Sequence, residues 1–138
     1  MIKYVMLLLT VFILAVCSQA REVSTFRDSS GRLVGRSQQN GDKTIYRDAS
    51  GRIVGTAKPQ GNRIVYRDAS GRLQGTATKV GNRTIYRDNS GKINTTAVQQ
   101  GNRVIYRDST GHLKGTGTPV GNRTIYRDSS GKIIYTRR

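Results

Sequence analysis

The sequence predicts an all-β fold of tandem 20-residue β-hairpin repeats, a meander that curls into a solenoid or a rolled sheet after a cleaved signal peptide. Three observations carry this. Gly31, Gly51, Gly71, Gly91, Gly111 and Gly131 recur every 20 residues without a slip, as do Asp28, Asp48, Asp68, Asp88, Asp108 and Asp128, each preceded by Arg. Before that Arg stands Phe26, then Tyr46, Tyr66, Tyr86, Tyr106 and Tyr126. A second set, Gly41, Gly61, Gly81, Gly101 and Gly121, punctuates the other half of each unit. Two glycines per unit and the lack of a 3.6-residue period exclude helices.

Residues 1–20 read as a signal peptide. Lys3 gives the positive region, Val5 to Val16 the apolar run, and Ser18-Gln19-Ala20 the small residues of a cleavage site after Ala20. The run is too short for a membrane-spanning helix. Cys17 is the only cysteine. Leu14-Ala15-Val16-Cys17 resembles a bacterial lipoprotein box, with Val16 where a smaller residue is usual, so lipidation at Cys17 is the lesser alternative. Cleavage after Ala20 leaves a secreted or periplasmic chain without disulfides. Residues 21–138 then hold six units, near 21–43, 44–63, 64–83, 84–103, 104–123 and 124–138.

Each unit divides into two strands and two turns. Ile64-Val65-Tyr66-Arg67 is β-branched and aromatic, as a pleated strand favours. Asp68-Ala69-Ser70-Gly71 has the residue preferences of a type I turn, whose last glycine takes positive φ and forms a bulge. Arg72 to Thr78 returns, and Lys79-Val80-Gly81 closes the unit with a second three-residue turn. Pro59 and Pro119 are expected at the second position of that turn, where a fixed φ helps. The 69–71 loop pairs Asp68 with Arg72. That sets Val65, Arg67, Leu73 and Gly75 on one face and Tyr66, Asp68, Arg72 and Gln74 on the other. Leu or Ile at 33, 53, 73, 93, 113 and 133 never becomes polar and is expected inward. The variable Val34, Val54, Gln74, Asn94, Lys114 and Ile134 are expected outward. The row Tyr46, Tyr66, Tyr86, Tyr106 and Tyr126 is expected to stack as a ladder, buried or presented. A dozen strands do not stay flat, so solenoid and closed roll are the two outcomes.

Tyr46-Arg47-Asp48-Ala49-Ser50-Gly51-Arg52-Ile53 resembles the YD repeat of Rhs and teneurin-like proteins, whose hairpins build a large β-sheet shell. Here Thr, Ile or Val replaces the first tyrosine of that motif, Arg stands between Tyr and Asp, and the array is too short for a shell. The same string looks like the choline- and glucan-binding cell-wall repeats, hairpin solenoids that hold ligands between aromatic residues of adjacent units. The Tyr, the Asp-x-x-Gly turn, the apolar residue after it and Gly35, Gly55, Gly75 and Gly115 match; every tryptophan is missing. Both resemblances span residues 21–138 and imply hairpin architecture.

Catalysis has little to work with, and no cofactor is implied. His112 is the only histidine and takes a slot that is Arg or Lys elsewhere, so it reads as a surface variant and the chain as no enzyme. One Asp per unit suits a turn better than a calcium ion, which needs six or more oxygens, and no metal site is expected. Asn82-Arg83-Thr84, Asn94-Thr95-Thr96 and Asn122-Arg123-Thr124 match the glycosylation acceptor pattern.

Charge is the stronger signal. The chain carries 24 Lys+Arg against 8 Asp+Glu, a net +16. One row runs through Arg27, Arg47, Arg67, Arg87, Arg107 and Arg127. A second takes Lys43, Arg63, Arg83, Arg103 and Arg123, and a third Arg32, Arg52, Arg72, Lys92, His112 and Lys132. Equivalent residues of successive hairpins lie roughly 10 Å apart. Such rows suit multivalent, salt-sensitive contact with a polyanion. The expected partner is an acidic glycan or another envelope polyanion. The alternative is a structural or protein-interaction module using strand edges or the tyrosine row. Nucleic acid ranks third, since export leaves only extracellular targets. The bland reading pairs each Arg with the neighbouring Asp row and leaves the other cations to guard sheet edges.

Overall fold

The computed structural model describes residues 22–138. The signal peptide, its cleavage at Ala20 and the Cys17 alternative lie outside the described residues. Twelve antiparallel strands follow in chain order: β1 (Val23–Asp28), β2 (Leu33–Asn40), β3 (Lys43–Asp48), β4 (Ile53–Gln60), β5 (Arg63–Asp68), β6 (Leu73–Val80), β7 (Arg83–Asp88), β8 (Ile93–Gln100), β9 (Arg103–Asp108), β10 (Leu113–Val120), β11 (Arg123–Asp128) and β12 (Ile133–Arg137). Each pairs with the next, and β12 pairs with β1, so the meander closes into a barrel rather than an open solenoid. At the seam Phe26 faces Arg137, Arg27 faces Thr136 and Asp28 faces Tyr135. Thr25 and Arg138 add a reciprocal pair of backbone bonds at 2.8 and 3.0 Å. Closure removes the sheet edges that a flat meander would expose.

The Asp-x-x-Gly turn forms as its residues dictate. The amide of Gly71 donates to the Asp68 carbonyl at 3.0 Å and that of Asp68 to the Arg72 carbonyl at 2.9 Å. Gly71 has φ 83°, the left-handed value that a bulge-forming glycine supplies.

The other turn is shorter than expected. Gln60 pairs with Arg63, leaving a two-residue Gly61-Asn62 loop, and Gly61 has φ 60°, as hairpin turns with the strand's own twist require. Pro59 and Pro119 therefore lie inside β4 and β10, not in a turn. The reason they are tolerated is visible in their counterparts. The Gln39 and Gln99 amides each make only a peripheral bond, 3.2 Å, to Glu22 and Asn82 carbonyls beyond the regular ladder. Proline forfeits that one bond. The β3–β4 and β9–β10 ladders accordingly stop at Thr44–Ala57 and Val104–Gly117, whereas β5–β6 and β7–β8 continue to Arg63–Thr78 and Arg83–Val98.

The facing of each second strand also differs from expectation, through a bulge and through the tyrosines filling the interior. Leu73 sits opposite Arg67 but Gly75 sits opposite Tyr66, so Gln74 is an extra residue at a β-bulge. The same slip recurs at every Asp-x-x-Gly hairpin. It reverses side-chain parity, so Gly75 joins the tyrosine face instead of the Leu73 face. Leu73 points outward with Arg67, and Ile53, Leu73, Ile93 and Leu113 are exposed, against the inward assignment. The variable neighbours divide: Val54 and Ile134 pack against the core and Gln74 reaches the Asp68 carboxylate at 3.3 Å, whereas Val34, Asn94 and Lys114 are exposed as expected.

The tyrosine row is buried. Phe26, Tyr46, Tyr66, Tyr86, Tyr106, Tyr126 and Tyr135 form the core with Ala57, Ala77 and Ala97. Every tyrosine from Tyr46 to Tyr126 lies opposite a small residue of the preceding strand, namely Ser37, Ala57, Ala77, Ala97 and Gly117. Large and small alternate so that rings fit side by side around the wall. The fit is tight: a Cβ added to Gly117 would come within 2.8 Å of Tyr126 Cε1. Tyr126 stacks on Tyr135, with centroids 4.4 Å apart.

Candidate functional site

The site begins at the Asp-x-x-Gly rim. Each aspartate is occupied locally. Asp28 Oδ1 accepts from the Ser30 amide and hydroxyl at 2.9 and 2.7 Å and from the Arg32 amide at 3.0 Å. The pattern repeats at Asp48, Asp88, Asp108 and Asp128. The hydroxyl bond, chiefly, holds these five carboxyls below the usual range, so they stay ionised while bracing the turn. Aspartate here is a turn brace, as its spacing implied.

The preceding arginine does not pair with aspartate. In all six units its Nη1 donates to the carbonyl of the turn glycine: Arg27 to Gly31, Arg47 to Gly51, Arg67 to Gly71, Arg87 to Gly91, Arg107 to Gly111 and Arg127 to Gly131, at 2.8–3.0 Å. One anchored nitrogen draws each guanidinium up to the rim and leaves its remaining donors directed at solvent. Because the barrel closes, this row is a ring of six equally held cations. Between them, at the same level, stand Leu33, Ile53, Leu73, Ile93, Leu113 and Ile133, each opposite an arginine of the ring. Sequence reasoning missed this alternation. The expected facing already put Leu73 on the Arg67 side; what was missed is that this side is the outer one, because the tyrosines fill the interior.

The second row, Lys43, Arg63, Arg83, Arg103 and Arg123, opens the odd strands at the opposite, Gly-Asn end and is exposed. Arg63 and Arg67 share the outer face four residues apart, so the two rings are separated by roughly 13 Å of wall. That wall is faced by Ile45, Val65, Ile85, Ile105 and Ile125, with Val65 only 5 % exposed under its neighbours. The third row, Arg32, Arg52, Arg72, Lys92, His112 and Lys132, follows the turn glycine and is exposed at the first rim. His112 Nδ1 lies 2.6 Å from Thr110 Oγ1 and 3.9 Å from Asp108, on the surface. Lys58 and Asp42 form an ion pair at 3.4 Å, with both partners exposed. The structure thus brings Arg47, Arg67, Arg87, Arg107 and Arg127 together in one ring. Arg63, Arg83, Arg103 and Arg123 fall in the other.

The tyrosines form no surface site. Burial raises the pKa of all six phenols, that of Tyr126 to about 12, with Arg137 and a Thr124 bond opposing in its case. Among the described residues no three His, Cys, Asp or Glu side chains are grouped as a metal would need, and no helix is long and apolar enough to cross a membrane. No protein-family model and no curated protein matches the chain.

Proposed function

We propose that this chain is an exported, non-catalytic repeat barrel that binds an acidic polymer of the cell envelope or extracellular space. The observation that carries the reading is the rim ring: six guanidiniums held by glycine carbonyls, none neutralised by a carboxylate. Preorganised forks of this kind suit sulfate, phosphate and carboxylate groups, and a ring multiplies weak contacts. Residues 1–20 act as the export signal in this reading, and the partner is an acidic glycan of the surface. The structural or protein-interaction alternative has less support, since β1 and β12 pair with each other and the tyrosines are covered. The test is binding of residues 22–138 to immobilised acidic envelope polysaccharides and to an unrelated polyanion across a salt series. Preference for one glycan that outlasts moderate salt supports the reading. Binding that ignores salt points to an apolar protein interface, and no binding at low salt removes the proposal.

A further inference from the structure

Closure changes what the basic rows can meet. An open array would offer a straight track to a linear polymer. A closed barrel bends the same row through a full circle, so a stiff chain laid against the wall touches only part of the ring. A flat field of anions set across the barrel axis meets the whole ring at once.

The rim has the composition for such a field. The anchored arginines and the third row place eleven Arg and Lys at this end against six Asp, whose carboxylates are engaged with turn amides. The turn tips are small, as in Ala49-Ser50 and Ala69-Ser70, so nothing bulky holds a surface away. Between the arginines the apolar side chains are open to solvent: Ile53 42 %, Leu73 38 %, Ile93 39 % and Leu113 42 % exposed. A ligand that is only a polyanion has no use for them. Leu73 stands two residues behind Gly71, roughly 7 Å from the tip. That matches the depth of about 5–10 Å to which interfacial apolar groups sink at a bilayer surface. The arginines, drawn to the rim by the glycine carbonyls, would then lie at headgroup level.

We infer that the Asp-x-x-Gly rim is a docking face for an anionic lipid bilayer, arginines on the headgroups and the alternating Leu and Ile side chains at the acyl boundary. This rests on the proposed polyanion binding and specifies its target as an amphiphile presented in a plane, not a soluble chain.

The test uses the barrel, residues 22–138, whose first and last strands pair with each other. It is floated with phosphatidylcholine vesicles containing or lacking phosphatidylglycerol, and its affinity for soluble heparin is measured in parallel. Circular dichroism verifies the fold of each variant. Ala49→Glu with Ala69→Glu puts two anions on the tips without touching the arginine–glycine bonds. Vesicle affinity should fall about thirtyfold. Ile53→Ser, Leu73→Ser and Leu113→Ser together should weaken vesicle binding about tenfold or more and change heparin affinity by less than about twofold. Removing Arg63, Arg83 and Arg103 at the far end (each →Gln) should affect vesicles less than the tip glutamates do. The inference is overturned if the serine variant keeps its vesicle affinity, or if the far-end variant loses as much as the tip variant. Heparin binding without vesicle binding sinks this inference and leaves the polyanion reading standing. Binding to neither sinks both.

Discussion

Alkaline titration reaches the core directly. Residues 22–138 contain six tyrosines, and all six lie inside the wall. A solvated phenol ionises near pH 10, but burial, which disfavours the phenolate, raises every one of them above that value. Above pH 10 the unfolded chain therefore releases six protons that the folded barrel keeps. Stability falls with pH wherever the folded state binds more protons, at about 1.4 kcal/mol per pH unit for each group. Six phenols together make roughly 8 kcal/mol per unit. Their contribution is complete below pH 10 and is lost as the pH climbs toward the folded values. A domain stable by about 5–15 kcal/mol should then unfold between roughly pH 11 and 12. The assay follows tyrosinate absorbance in the near ultraviolet and β-sheet circular dichroism in one titration. The two signals should change together, steeply. Gradual ionisation centred near pH 10 with the β-sheet signal intact would mean that the tyrosines face solvent, and the inward assignment would fall.

Three substitutions probe the packing by denaturant melts. Tyr66 Oη is buried without a hydrogen-bond partner among the described residues, and Phe26 fills the equivalent slot at 1 % exposure. Tyr66→Phe should raise stability by about 1 kcal/mol, and a loss of about that size would reveal a partner for the hydroxyl. A Cβ on Gly115 would collide with the Arg127 carbonyl of the next strand, so Gly115→Ala should cost about 1–3 kcal/mol, whereas a neutral result would show the strands free to part. Leu73→Ser, on the outer face, should stay within about 0.5 kcal/mol of the parent; a loss of about 2 kcal/mol or more would return Leu73 to the core.

Much of the fold was legible because each turn announces itself locally. Asp68 and Gly71 specify their hairpin by a carboxylate that takes turn amides and a backbone that takes positive φ, and both signals act within five residues. Facing was not legible by counting in twos. The bulge after each such turn inserts Gln74 or its equivalent, and every later side chain in the strand changes sides. A compensating signal existed in Ser37, Ala57, Ala77, Ala97 and Gly117, a column that is small in the first five units, where a tyrosine lies opposite it, and becomes Arg137 opposite Phe26 in the last. The invariant Leu or Ile column misled because an apolar residue is kept for the outside too. The arginine ring was legible as a row, while its anchoring was not. Arg67 reaches the Gly71 carbonyl only because the turn brings a residue four positions on back beside it.

Closure is the feature that no single unit encodes, yet the repeat already contains its geometry. Tyr106 faces Gly115, and Gly115 faces Asp128, which lies two residues beyond the next tyrosine, Tyr126. Each hairpin thus steps the register by two residues. At the seam Tyr126 faces Tyr135, and Tyr135 faces Asp28, two residues beyond Phe26. The first and last strands meet in the register that joins any two neighbouring units. The rim ring inherits that regularity: Arg27 faces Thr136 across the seam as Arg67 faces Thr56 and Arg127 faces Thr116 inside the array. Five of the ring's six arginines thus face a threonine of the neighbouring strand, and Arg47 alone of the six faces a cation, Arg36. A rim built this way is nearly uniform around the barrel, which is the shape the proposed docking to a planar anionic target calls for.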